Sequence, residues 1–278
     1  MKVIEVNGAP LACTERGSGS PVLFIHGTGS NSGTFEPVLE HIPEAVRAIT
    51  YDRRGYGSSE GAPARRLGEH VQDAAALLEA LDARPATVVG SSSGGVLALR
   101  LAVARPDLVS ALVLIEPAYQ AALVPSPSTA FAIGRVMLRW ALRRDPEGAA
   151  LRYYRWATGY ADGGNQFDAC PEEWQRTAVN DARTALREMV QAMVPGPGTA
   201  AVRRIARPTS VLIGDAGLSV FHEASRRALR AIPQAREVTV PGAAHFVYID
   251  EPAVCAAAIV DAVDMGERLW SASNGSKS

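Results

Sequence analysis

Cysteine is scarce and dispersed. Cys13, Cys170 and Cys255 share no short spacing, which excludes a disulfide framework or a zinc knuckle and suits a reducing compartment. Neither sign of charge dominates, with 28 Lys+Arg against 29 Asp+Glu and a formal net charge of -1. The chain therefore lacks the electrostatic footprint of a nucleic-acid binder or an anionic-membrane binder. The doubled arginines at Arg65, Arg143, Arg203 and Arg226 are separated by acids and apolar residues and read as solvated helix faces. Long hydrophobic runs are missing too. No stretch reaches transmembrane length, and "MKVIEVNGAPLACTERG" alternates as two short strands around a turn, without the apolar segment of a leader. The expectation is a cytoplasmic protein with no cofactor, no bound metal, and neither nucleic acid nor membrane as partner. Oligomeric state is not legible.

What is present is an ordinary globular balance, 47% hydrophobic and 21% charged, in a chain of 278 residues that can bury a sizeable core. Strand patterns recur at Val3–Val6, Leu11–Glu15, Val22–Ile25, Val46–Thr50, Thr87–Val89 and Ala111–Ile115, then in "PTSVLIGD" and "REVTV". Helical patterns fall within Thr34–His41, over Ala64–Leu81, from the serine triplet to Ala104, over Phe221–Ala231, and after "DEP". Alternation at this spacing implies crossover units and a mostly parallel α/β sheet flanked by helices. Residues 119–201 differ: they show no strand pattern, carry the breaks "PSPS", "DPEG", "DGGN" and "PGPG", and hold 9 of the 17 aromatics. That composition predicts a small helical subdomain at 119–201, inserted into a core made of residues 1–118 and 202–270. The polar tail 271–278 is expected to be disordered.

The segment "VVGSSSGGVLAL" places Ser91, Ser92 and Ser93 between a strand pattern and a helix pattern. Gly90 to Gly94 fits G-x-S-x-G with Ser92 at its centre, and a strand-to-helix turn is the context in which that pattern presents a nucleophile. The amide following the serine starts a helix, where an unpaired N–H can meet a developing oxyanion. By spacing, Ser92 is the nucleophile, Ser93 an oxyanion donor, and Ser91 a packing residue.

"LFIHGTGS", "YDRRGYGSS", "VVGSSSGG" and "VPGAAHFVYIDEP" occur in an order and spacing by which the chain resembles the α/β-hydrolase fold family nearly end to end. The resemblance implies an α/β-hydrolase sheet with its helical cap after strand six. It makes Thr28 N–H the second oxyanion donor and His26 structural. Asp52, Arg54, Gly55 and Gly57 would then shape a turn near the site. It also puts His245 at the family's base position, since a serine hydroxyl needs a neighbouring imidazole to take its proton. His41, His70 and His222 match no motif and are expected at the surface.

The acid departs from the usual pattern. Alignment of "SVLIGDAGLSVF" puts Gly217 where most relatives carry an aspartate, and Asp215 comes directly after Gly214, early for reaching His245. Glu116 ends the strand "ALVLI" at the same sheet edge. Some members of the fold, haloalkane dehalogenases and fungal lactone hydrolases among them, carry their acid after this strand. Glu116 is therefore the favoured acid and Asp215 the alternative.

The implied reaction is hydrolysis of a carboxylic ester or lactone through an acyl-enzyme. A serine elbow excludes dehalogenase and epoxide-hydrolase chemistry, which need a carboxylate nucleophile. A C–C hydrolase using the same triad, or a non-catalytic small-molecule receptor on the same fold, remain alternatives. Trp140, Tyr153 and Trp156 in the cap, with Phe246 beside the histidine, are expected to line a pocket for a medium-sized, uncharged hydrophobic substrate.

Overall fold

The computed structural model describes residues 1–59, 61–192 and 196–275. Eight strands form one sheet in the order β1-β2-β4-β3-β5-β6-β7-β8. They are β1 Lys2–Val6, β2 Ala9–Arg16, β3 Ser20–Ile25, β4 Val46–Tyr51, β5 Ala86–Ser91, β6 Val109–Ile115, β7 Thr209–Gly214 and β8 Ala235–Val240. Strand β2 pairs antiparallel with both β1 and β4, and every other pairing is parallel.

The helices are α1 Glu36–Leu39, α2 Leu67–Ala80, α3 Ser93–Ala104, α4 Pro127–Arg143, α5 Pro146–Ala157, α6 Glu172–Asn180, α7 Ala182–Ala192, α8 Thr199–Val202, α9 Ser219–Ala231, α10 Val247–Asp250 and α11 Pro252–Gly275. The central strands are apolar on both faces, as parallel strands under helices require. Leu23, Ile25, Val88, Leu112, Leu114, Val211 and Ile213 join one core with Leu77 of α2, Leu101 of α3 and Ala228 of α9. Their neighbours Val22, Phe24, Val89, Val113, Ile115 and Leu212 pack the other face against Val38, Tyr248, Ile259 and Val263.

Helices α4–α8 are inserted between β6 and β7. A separate cluster holds them together, with Val136, Ala149, Tyr154, Phe167, Ala178, Leu186 and Met189 around Tyr56 from the core. The last helix differs from the sequence expectation at the tail. Continuous i→i−4 bonding carries α11 through Gly275, so 271–275 are helical, and the rest of the expected disordered tail lies outside the described residues.

Candidate active site

β5 ends at Ser91, α3 starts at Ser93, and Ser92 between them has φ 53° and ψ -119°. A non-glycine residue rarely adopts that region, and such strain concentrates at functional turns. Flanking glycines make the turn possible. A Cβ on Gly90 would meet the Gly94 carbonyl, and one on Gly94 would meet the Ile25 carbonyl of β3. Ser92 N–H donates to the Ile115 carbonyl at 2.9 Å, and Ala118 N–H donates back to the Ser92 carbonyl at 3.1 Å. The elbow is thus tied to the end of β6. Ser93 N–H is the first amide of α3 and has no acceptor within the helix. Ser91 is buried, its side chain beside the Tyr248 hydroxyl.

Glu116 follows β6 directly and also has a positive φ, 45°. Its N–H donates to the Leu212 carbonyl of β7 at 3.0 Å, which draws the residue across the strand end. Oε1 accepts from Gly214 N–H at 3.1 Å, and Oε2 faces His245 Nδ1 at 3.4 Å. Both side chains are buried. His245 stacks on Phe221, with ring centroids 3.8 Å apart. With Nδ1 turned to the carboxylate, Nε2 is the ring nitrogen left for a substrate or nucleophile. Among the described residues no hydrogen bond joins the Ser92 hydroxyl to His245.

Asp215 is exposed and accepts from Gly242 N–H at 2.7 Å, steadying the turn after β8. Its N–H donates to the Val240 carbonyl of β8 at 3.3 Å, and among the described residues no hydrogen bond or ion pair joins its carboxylate to His245. At Gly217 a Cβ would sit 3.4 Å from His245 N and 3.4 Å from the Ala244 Cα, in ordinary contact. The position that lacks an acid is therefore beside the histidine backbone.

The loop bearing Thr28 is fixed by charges that the motif comparison passed over. His26 is neutral and structural in its bonding: Nδ1–H donates to the Gly27 carbonyl at 2.9 Å and Nε2 accepts from Arg53 N–H at 3.0 Å. Burial, reinforced by the Arg53 charge, pushes its pKa well below the ordinary value. Arg53 is fully buried, with Nη2 donating to the Gly27 carbonyl at 2.9 Å and Nη1 to Glu188 Oε2 at 2.9 Å. Glu188, on α7, also accepts from the Tyr56 hydroxyl at 2.6 Å and from the hydroxyls of Thr28 at 2.7 Å and Ser93 at 2.9 Å. Burial alone would lift the Glu188 carboxyl, but the Arg53 charge and the hydrogen bonds from Arg53 and Tyr56 hold it well below the usual carboxylate range.

His70 is a correction to the surface assignment. It is buried with Nε2 3.7 Å from Glu188 Oε2, and burial pushes its pKa down to about 3. Asp52, Arg54, Gly55 and Gly57 do form a turn. Asp52 accepts from Ser32 N–H at 2.8 Å and Ser58 N–H at 2.7 Å, while Arg54 pairs with Asp73. A second insertion residue, Gln166, grips the histidine loop, accepting from Phe246 N–H at 2.8 Å and donating to Asp250 at 2.6 Å.

An apolar pocket of about 140 Å³ lies beneath the insertion, lined by Ala118, Ile133, Tyr153, Trp156, Met189 and Phe221. Its Phe221 wall is the ring stacked on His245. Tyr153 and Trp156 thus share a pocket with the ring that stacks on His245. Trp140 and Phe246 do not line it. Trp140 follows Ile133 and Val136 on one face of α4 and packs inside the insertion, and Phe246 stacks on Tyr248 in the core. A larger cleft of about 480 Å³ lies away from the histidine, between α4 and α5, walled by Phe131, Trp156 and the arginines 135, 139, 152 and 155. Arg135 and Arg139 lie one turn apart on α4 and Arg152 and Arg155 one turn apart on α5, and the pairing of the two helices brings both pairs to one cleft. Among the described residues, no group of three or more His, Cys, Asp or Glu gathers as a metal site.

The model of the alpha/beta hydrolase family matches residues 22–258. A Mycobacterium tuberculosis protein named as a non-heme bromoperoxidase, BpoC, is 43% identical over 107 residues, which are 38% of this chain and 41% of that one. That match covers well under half of the relative's length. A 2-(acetamidomethylene)succinate hydrolase of Mesorhizobium japonicum is 28% identical over 275 residues, 94% of each chain. Among solved structures, a thermophilic esterase from Thermogutta terrifontis superposes with a TM-score of 0.77 at 23% identity, covering 95% of this chain and 97% of that one.

Proposed function

This chain belongs to the alpha/beta hydrolase family, and from that premise we propose that it is a serine hydrolase of carboxylic esters or lactones with hydrophobic acyl or alcohol parts. One observation carries the reading: the Glu116–His245 contact of 3.4 Å sits at the same sheet edge as an elbow serine with φ 53°. Ser92 Oγ attacks the carbonyl carbon while its proton passes to His245 Nε2. Glu116 orients the imidazole through Nδ1 and stabilises the imidazolium that forms. The amides of Thr28 and Ser93 receive the tetrahedral oxygen. His245 then protonates the leaving alkoxide, and water, deprotonated by the same imidazole, releases the acid and frees Ser92.

The apolar pocket walled by Tyr153, Trp156 and Phe221 supports an uncharged hydrophobic group next to the scissile bond. Amide or C–C cleavage by the same triad is a second reading, favoured by the full-length relative named for 2-(acetamidomethylene)succinate. Turnover by the parent and Ser92→Ala on an ester, lactone, amide and diketone panel tests both. The ester or lactone reading expects turnover of those substrates that Ser92→Ala abolishes while the variant keeps its fold. Turnover retained by folded Ser92→Ala refutes the assignment. Parent activity on the diketone or amide alone favours the second reading, and labelling of Ser92 by a fluorophosphonate without turnover of any of the panel favours a receptor.

A further inference from the structure

Glu188 is 3% exposed and belongs to the inserted helices, yet every side chain bonded to its carboxylate comes from the core. Oε2 is taken by Arg53 and Tyr56. Oε1 is taken by the hydroxyls of Thr28 and Ser93, which are themselves 2.9 Å apart. Those two residues are the ones whose backbone amides are assigned to the oxyanion. A second insertion residue presses on the same loop: the Tyr154 ring of α5 lies where a Cβ on Gly29 would be, and Gly29 has φ +73°.

We propose that Glu188 is a positioning residue for the oxyanion donors, so that docking of the inserted helices and assembly of the oxyanion hole are one event. The proposal rests on the serine-hydrolase reading above. Among the described residues the one backbone–backbone bond across the Thr28 turn is Ser30 N–H to the Gly27 carbonyl at 3.4 Å, a weak contact, while His26 Nδ1 and Arg53 Nη2 hold the Gly27 carbonyl at 2.9 Å each. Side-chain bonds must therefore fix where Thr28 N–H points. A lone carboxylate this close would oppose a developing oxyanion. Arg53, at 2.9 Å, balances that charge, so Glu188 can hold both hydroxyls without leaving a net negative charge at the site. Its Oε1 accepts from the hydroxyls and leaves the amides free for the substrate. Misplacing one amide is enough to slow the chemical step, because transition-state stabilisation depends on donors already in position.

The test uses the intact protein with an activated ester and a fluorophosphonate, on Thr28→Val, Thr28→Ser, Glu188→Ala and the double variant Thr28→Val/Glu188→Ala. Thr28→Val keeps the Arg53–Glu188 pair and so preserves the fold. It should lower kcat about tenfold with KM unchanged and slow phosphonylation of Ser92 in parallel. Thr28→Ser should restore the rate. Glu188→Ala should lose at least as much, and Thr28→Val should cost little more in its background, because both act through one hydrogen bond. A folded Thr28→Val with parental kcat, a loss confined to KM, or multiplicative losses in the double variant would overturn the proposal. The same assays on Ser92→Ala separate the two failures: activity there undermines the serine assignment itself, whereas an inactive Ser92→Ala beside a parental Thr28→Val undermines only the role of Glu188.

Discussion

Glu116 reaches His245 across the end of β7, with Oε2 3.4 Å from Nδ1 and Oε1 anchored on Gly214 N–H at 3.1 Å. Gly217, beside the His245 backbone, offers no side chain, and the carboxylate that faces the imidazole comes instead from the end of β6, the strand next to β7.

Exchange of the two carboxylates for amides discriminates between them. Glu116→Gln should lower kcat by about three to four powers of ten, the loss expected when an imidazole is left in the wrong tautomer. Asp215→Asn removes a charge remote from His245 while its amide oxygen can still accept from Gly242 N–H, and should leave kcat unchanged. Steady-state hydrolysis of an activated ester reads both.

Gly217 offers a reciprocal test. Its missing Cβ has room beside His245 N at 3.4 Å, so an aspartate placed in this loop after β7 starts next to the histidine. Glu116→Ala/Gly217→Asp should recover about tenfold or more of the kcat lost in Glu116→Ala. No recovery in a folded double variant would mean that the space beside position 217 does not lead to Nδ1.

His70 predicts an acid-side loss of stability. An unfolded imidazole titrates near 6.5 and burial brings the folded one to about 3. Between those values the unfolded chain binds a proton that the folded chain refuses. The contribution of neutral His70 is thus complete above pH 6.5 and is lost as pH falls towards 3. In urea unfolding, the drop in stability from about pH 7 to about pH 5 should be smaller in His70→Leu by about 2 kcal/mol. Equal drops in the two proteins would contradict a buried neutral imidazole.

The pocket predicts selectivity. Tyr153 and Trp156 wall a volume of about 140 Å³, so short acyl esters should be preferred. Tyr153→Ala should move the optimum of kcat/KM to longer chains, with each added methylene worth about 0.8 kcal/mol until the enlarged space is filled. A parallel change in kcat/KM across all chain lengths would place Tyr153 outside the acyl site. Trp140→Ala, which alters packing within the insertion, should leave the profile where it is.

Much of this was legible because the requirements are local. Gly90 and Gly94 are where the elbow admits no Cβ, and the strands of the sheet carry their β-branched runs in single short segments. The Glu116 assignment drew on the same locality: a carboxylate directly after "ALVLI" must emerge at the sheet edge. The buried Arg53–Glu188 centre was not read, since its two members are 135 positions apart and a charged residue is ordinarily assigned to solvent. Periodicity did carry a signal. Glu188 stands three residues after Ala185 and His70 three after Leu67, each on the apolar face of its helix. Trp140 lies outside the pocket walled by Tyr153 and Trp156 for the converse reason. Aromatics in an insertion pack its own core as readily as they line a pocket, and the pairing of α4 with α5 and of α5 with α7 decides which.

The central claim is that Ser92, and neither of its neighbours in the triplet, is the nucleophile. Peptide mapping by mass spectrometry after fluorophosphonate treatment tests it most directly, because the three serines differ only in how the elbow presents them. The account predicts a single adduct on Ser92, formed in step with loss of ester turnover and absent from Ser92→Ala. An adduct on Ser91 or Ser93, or full turnover after Ser92 is modified, would contradict it.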